Sequence, residues 1–298
     1  MIDGDGVARI VCAAAPADEA WTVVAGFVDD NNRSVVSVAT GCKWSAGDGL
    51  RDTHAEVLAR RGVVAAMWSE EEEVGSALHF YTSWPPCGDL TLPAFTGAKL
   101  FDWRREGEQD SGVPRLKAGR SDLPLHKRAT SLSCSDKLVR WCVAGVEGAL
   151  LSYVRGTVRI ASITVGGGDV DADRFRARVA ATAAMVGVPC ELPVVRTTRV
   201  VPNFRTLGKS NVATVWWRGC GETEILVEGR LRGSTRKKPR YSRLATHRLF
   251  EDWFCPRFPG VASSSSVEDA KQKAPRTVSR KVAVLLRAQG RAYCGITS

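Results

Sequence analysis

No stretch of the 298 residues approaches the roughly 18 to 20 consecutive apolar residues of a membrane span, which argues against a membrane partner. The opening MIDGDG has neither a basic n-region nor an apolar h-region, so an intracellular chain, cytoplasmic or nuclear, is the expectation. A disulfide framework is lacking too. The nine cysteines are odd in number and scattered from Cys12 to Cys294, in a chain far too long to need such a framework. Reduced thiols, some of them on a metal, fit that distribution better. Disorder as the main state is excluded by ordinary globular composition, 44% hydrophobic and 25% charged, and no internal repeat is visible. What the chain does have is positive charge. Lysine plus arginine number 42 against 32 acids, a formal +10, which suits a polyanion such as nucleic acid without naming one.

The apolar pattern predicts an α/β fold. Residues 21–28 and 34–40 are short β-branched runs around Asp29 to Asn32 and read as a strand hairpin. A Gly-rich loop, 41–49, leads to a helix expected over 52–68, ending in the acidic run 70–73, and then to a strand over 77–82. Residues 104–131 are polar and aperiodic, a long surface loop suited to meeting substrate. Leu138, Trp141, Cys142, Gly145, Val146, Ala149 and Leu150 fall at helical spacing and predict one helix over 135–154. Further on, 158–165 reads as a strand and 172–185 as a helix, with 212–217 and 224–227 as a strand pair. A low-complexity loop, 263–266, precedes a final basic helix, 278–288.

The sharpest local signal is Asp52-Thr53-His54-Ala55-Glu56. A histidine with a glutamate two residues on offers a metal ligand and a proton shuttle, half of the zinc deaminase signature. Taken alone, Thr53 and Glu56 form a capping box, and that is the stronger reading of the motif in isolation. Cys87 follows a strand and Cys134 precedes the long amphipathic segment, so both are expected at helix N-termini, where the dipole favours the thiolate that zinc binds. One histidine and two cysteines make three ligands and leave the open position of a catalytic zinc, with Glu56 placed to take the proton of its water. Cys12, Cys142, Cys190, Cys220 and Cys255 read as small buried hydrophobes.

DTHAEVLARRG, PCGDL and SCSDKLVRWCVAGVEGALLSYV resemble the three motif blocks of the deaminase domain shared by adenosine deaminases acting on RNA and tRNA-specific adenosine deaminases. The resemblance extends to VVSVATGCKW, RLKAGRSD and the SRL at 242–244, in the right order along the chain. It implies a zinc-dependent, cytidine-deaminase-like α/β core with a family-specific C-terminal elaboration. His54, Cys87 and Cys134 become zinc ligands, with Glu56 as the catalytic proton shuttle. The same resemblance implies a buried inositol hexakisphosphate held by Arg60, Arg61, Lys137, Arg140, Trp141 and Lys281. Asp52 and Lys117 form a polar relay to the metal, and Gly41 and Lys43 lie at the substrate. In the C-terminal segment the match is poor, and Thr246 stands where a lysine is expected.

Read from the residues alone, Arg60 and Arg61 follow the HAE motif where periodicity turns at least one inward, and Lys137, Arg140 and Trp141 share one helix face. The basic run 230–248 is suited to tracking phosphates. One deaminase domain over 1–298, without a separate double-stranded RNA-binding domain, is the expected organisation. It points to a tRNA adenosine beside the anticodon, on its 3′ side, as substrate. Duplex RNA editing, free-nucleoside or cytidine deamination, and an inactive RNA-binding protein are the alternatives.

Overall fold

The structure is a computed structural model and describes residues 2–16, 20–44, 49–69, 73–88, 90, 117, 131–203, 206–259, 266–274, 281–282 and 284–286. An N-terminal helix α1 (Gly4–Ala14) is followed by β1 (Ala20–Trp21), β2 (Val24–Asp29), β3 (Val35–Thr40), β4 (Cys42–Trp44) and β5 (Asp52–His54). Then come α2 (Ala55–Ser69), β6 (Ala77–Thr82), α3 (Cys134–Ala144), α4 (Gly148–Leu151), β7 (Arg159–Gly166), α5 (Ala172–Val186) and β8 (Val194–Thr198). Strands β9 (Thr206–Lys209), β10 (Val212–Trp217), β11 (Glu224–Val227) and β12 (Arg230–Leu231) precede α6 (Thr246–Arg248), a π-helical turn (Leu249–Phe254), α7 (Cys255–Arg257) and α8 (Val267–Gln272).

Eight strands form one mixed sheet in the order β12-β11-β10-β3-β2-β6-β7-β8. The β6, β7 and β8 neighbours are parallel and the rest antiparallel. Every residue of β2 and of β6 is buried, as expected for strands covered on both faces. Alternation divides them: Ala25, Phe27, Leu78 and Phe80 enter the large core with α2 and α3, while Val24, Val28 and Tyr81 pack against Ile2, Val7, Ala8 and Val11 of the α1 segment. Helix α1 is absent from the sequence reading, although Asp3 caps it by accepting the Gly6 N–H at 2.6 Å.

Three expected elements change. Residues 52–54 are not the first turn of a helix. They pair with β4, at the start of the expected Gly-rich loop, so that Cys42 faces His54 and Trp44 faces Asp52. The helix begins at Ala55, whose N–H donates to the Gly41 carbonyl, and Thr53 Oγ1 donates to the Lys43 carbonyl, so the capping box does not form. The helix expected over 135–154 ends at Ala144, because Gly145 and Gly148 have φ of +84° and +76°. A Cβ on Gly145 would lie 2.1 Å from the Glu147 carboxylate, which accepts the Val158 N–H. Cys87, finally, lies in a loop rather than opening a helix. Of the polar segment 104–131 only Lys117 and Ser131 are among the described residues. Most of 278–288 lies outside them as well.

Candidate metal centre

Strand β5 ends in His54 and α2 starts one residue later, so the ligand histidine and Glu56 enter the core from one strand–helix junction. Gly41 makes the junction possible. With φ +145° it passes so close to β5 that a Cβ there would lie 2.1 Å from the Thr53 carbonyl oxygen. Cys134 is the first residue of α3, on the Ser133 N-cap, as its sequence context predicts. Its N–H donates to Cys87 Sγ at 3.2 Å, and the Ser135 N–H donates to the Cys87 carbonyl at 2.9 Å. Val57 belongs to the same small buried cluster as both cysteines.

His54, Cys87 and Cys134 present one donor atom each, all within 4.8 Å of one another. His54 Nδ1 is 3.4 Å from Cys134 Sγ and 3.9 Å from Cys87 Sγ. The hydrogen bond from the Cys134 thiol, and then the Lys117 charge, hold the Cys87 thiol well below its ordinary range, while burial and the Cys87 sulfur push Cys134 up. The cluster attracts a cation, for Lys117 Nζ sits 2.5 Å from His54 Nδ1 and 3.3 Å from Cys134 Sγ. One imidazole and two thiols that take a positive charge are a donor set that fits zinc. Glu56, 4% exposed, has its carboxyl pKa raised by burial, with His54 pulling the other way. A raised carboxyl beside three metal donors is suited to holding and releasing a proton.

Asp52 gathers the charges behind the ligands. It accepts both Lys117 contacts at 2.9 Å, a contact from Lys137, and Ser131 Oγ at 3.0 Å. Against the cost of burial, Lys117 and Lys137 hold its pKa well below the usual range, and Asp52 helps keep Lys117 protonated. Asp52→Ala leaves two nearly buried ammonium groups facing each other. It is expected to cost about 3–5 kcal/mol, measured by denaturant titration. A cost below about 1 kcal/mol would class the cluster with ordinary surface pairs.

Behind this relay, cations from separate elements converge. Arg60 Nε donates to the Val146 carbonyl and Arg61 Nη1 to the Leu244 carbonyl, each at 2.7 Å. Burial first, then Arg140 and Arg61, lower the Arg60 pKa to about 9. Lys271, on α8, is lowered by burial and by Arg61, Arg140 and Arg60. Thr246 Oγ1, where a lysine is expected, accepts from the Arg61 guanidinium at 3.4 Å. Trp141 is buried in the main core. Lys281 is exposed, and among the described residues no contact joins it to this group. Lys43 is also exposed, and its backbone pairs with Thr53, the neighbour of His54. It reaches Asn211 and lines, with Thr53 and Glu228, a cavity of about 500 Å³ behind β5. Arg232, Arg236, Lys237, Lys238 and Arg240 stand exposed on a loop after β12, ordered by hydrogen bonds such as Leu231 N–H to the Arg240 carbonyl. At the base of that loop the Gly229 carbonyl accepts the Leu50 N–H, two residues before β5.

The family model of the adenosine-deaminase (editase) domain matches residues 90–275, which include Lys117, Cys134, Lys137 and Arg140, while His54, Glu56 and Cys87 precede the match. A tRNA-specific adenosine deaminase 1 of Drosophila melanogaster is 33% identical over 190 residues, 47% of this chain and 46% of that protein. The double-stranded RNA-specific adenosine deaminase of Mus musculus is 27% identical over 185 residues, 44% of this chain and 16% of its own. The double-stranded RNA-specific editase Adar of Drosophila melanogaster is 24% identical over 208 residues, 48% and 29%. The chain thus spans less than half the length of these relatives.

Proposed function

Since the chain belongs to the adenosine-deaminase (editase) domain family, we propose that it is a zinc-dependent RNA adenosine deaminase acting on tRNA, most simply at the adenosine on the 3′ side of the anticodon. The observation that carries this reading is the meeting of His54, Cys87 and Cys134 beside buried Glu56. The chain would then be one deaminase domain with a cytidine-deaminase-like core, working in cytoplasm or nucleus. The reaction adds water across the C6–N1 bond of adenine and releases the C6 amine as ammonia, leaving inosine. His54, Cys87 and Cys134 would hold the zinc, whose chemistry would be Lewis acidity and a water made nucleophilic at neutral pH. Glu56 does the proton transfer. As carboxylate it accepts a proton from water at an Oε, and it passes protons to purine N1 and to the departing amine. The target base must leave its stack, which costs less in a tRNA loop than in a duplex. The exposed basic loop after β12 offers phosphate contacts. In the polyphosphate site, Arg60, Arg61, Arg140 and Lys271 are the cations that would hold inositol hexakisphosphate, with Asp52 and Lys117 linking it to the metal ligands.

Two of the relatives are named for double-stranded RNA, so duplex editing is the second reading. The purified protein is expected to convert adenosine to inosine in unmodified tRNA transcripts, read as guanosine after reverse transcription, and to convert a long duplex far less. Preference for the duplex would select the second reading, and no inosine in either RNA would leave an inactive RNA-binding protein. Cys87→Ala and Cys134→Ala are each expected to lose both the single zinc equivalent, by elemental analysis, and inosine formation. Unchanged zinc in both variants would remove the metal assignment.

A further inference from the structure

The turn that carries Cys134 also clamps Cys87, and it is itself held from behind. Ser133 Oγ accepts the Asp136 N–H at 3.1 Å and donates to one Asp136 oxygen at 2.5 Å. The other Asp136 oxygen takes Nη2 of Arg178, which arrives from α5. Both charges are out of water, with the Asp136 side chain 1% exposed and that of Arg178 9%. On its opposite side the same turn grips the Cys87 loop. Besides the two bonds from the Cys134 and Ser135 N–H groups, Ser135 Oγ donates to the Pro86 carbonyl at 3.4 Å and accepts the Leu90 N–H at 3.3 Å. A displacement of residues 133–136 therefore moves one sulfur directly and the other through its clamp.

We propose that Arg178 is a positioning residue of the metal centre: acting through Asp136 and Ser133, it fixes the spacing of the Cys87 and Cys134 sulfurs against His54. Ser133 alone suffices to cap α3, and a buried ion pair is commonly replaceable by apolar residues without loss of stability. Capping does not call for an arginine from another helix; the buried Asp136 charge does, so loss of stability is expected of either role and the metal readouts are what separate them. Outer groups that orient ligands typically change metal affinity or activity by about 10- to 100-fold when removed. This inference rests on the metal reading above.

The test compares Arg178→Leu, Arg178→Lys and Ser133→Ala with Arg218→Leu. Arg218 pairs with Asp29 at 3.9 Å with the same exposures, 9% and 1%, and it donates to the Glu73 carbonyl and to Ser34 Oγ, neither of them on the Ser133–Asp136 turn or the Cys87 loop. Zinc affinity is measured by chelator competition on folded protein, and the thiolate-to-metal charge-transfer bands are recorded with cobalt in place of zinc. Arg178→Leu and Ser133→Ala are expected to weaken zinc by about 10- to 100-fold and to shift the cobalt bands, with Arg178→Lys recovering part of both. Arg218→Leu should keep wild-type affinity and spectrum even where it lowers stability. If Arg178→Leu does not fold, Arg178→Lys and Ser133→Ala carry the decision. Wild-type affinity and spectrum in the folded variants, or an equal loss in Arg218→Leu, overturns the proposal. Failure of the wild-type protein to bind either metal overturns the metal reading instead.

Discussion

Glu56→Gln is expected to keep the zinc equivalent and lose turnover by at least about 10²- to 10⁴-fold, the usual contribution of a positioned acid–base group. Glutamine matches the glutamate in shape and cannot take a proton from water. The side chain is buried and lies next to the ligand group without being one of its three donors, so metal content should not follow activity. Stability gives a second check with a definite sign. Burial raises the carboxyl pKa in the folded state, so the folded protein holds this proton more tightly than the unfolded chain. The wild-type residue favours folding below the ordinary carboxylate range, and that contribution is lost as pH rises towards the raised value. Glu56→Gln lacks the loss, so metal-free variant and wild type should diverge in stability with rising pH, the variant becoming the more stable. Deamination of RNA at wild-type rate by the variant would return Glu56 to a structural role.

The strands were legible because their apolar runs are short, β-branched and bounded by turn residues, as at 35–40, 77–82, 212–217 and 224–227. Cys134 was legible as the start of a helix for a local reason as well, Ser133 and Asp136 lying on either side of it. The pairing of β4 with β5 was not. It joins residues across the 45–51 connection, and three-residue strands leave no period to read. The apolar spacing over 135–154 continues through Gly145, so the break is visible only in the backbone conformation that this glycine and Gly148 adopt. Asp52 and Lys117 came from the family resemblance and Lys137 also from the helix face it shares with Arg140 and Trp141, while their meeting at one carboxylate is a tertiary fact. Arg178 had no sequence signal at all, because its partner lies on another helix, 42 residues away. Helix α1 could have been found, since Asp3 precedes Val7, Ala8 and Val11 at helical spacing.

Expression in a host that cannot make inositol hexakisphosphate is expected to give insoluble or inactive protein. Arg60 and Arg61 from α2, Arg140 from α3 and Lys271 from α8 lie close together: after burial, Arg140 and Arg61 lower Arg60 to about 9, and the three arginines lower Lys271. The Arg60 and Arg61 contacts to Val146 and Leu244 go to neutral carbonyls, which satisfy hydrogen bonds without cancelling charge. Gathering such cations is costly unless an anion joins them, and an anion that binds only the folded state adds its binding free energy to stability. The same ligand should support the metal side, because Asp52, which steadies Lys117 and Lys137, also acts on Arg61. Native mass spectrometry of protein from a competent host is the direct measurement, and one tightly held polyphosphate per chain is the expected mass. Arg140→Ala and Lys271→Ala, each removing one cation, should lower its occupancy and the melting temperature together. Full activity with no polyphosphate bound would mean that Thr246, which bonds Arg61 in place of the expected lysine, marks a site that has lost its anion. In that case the carbonyls, with Glu147 and Glu268 close by, are enough to hold the cations.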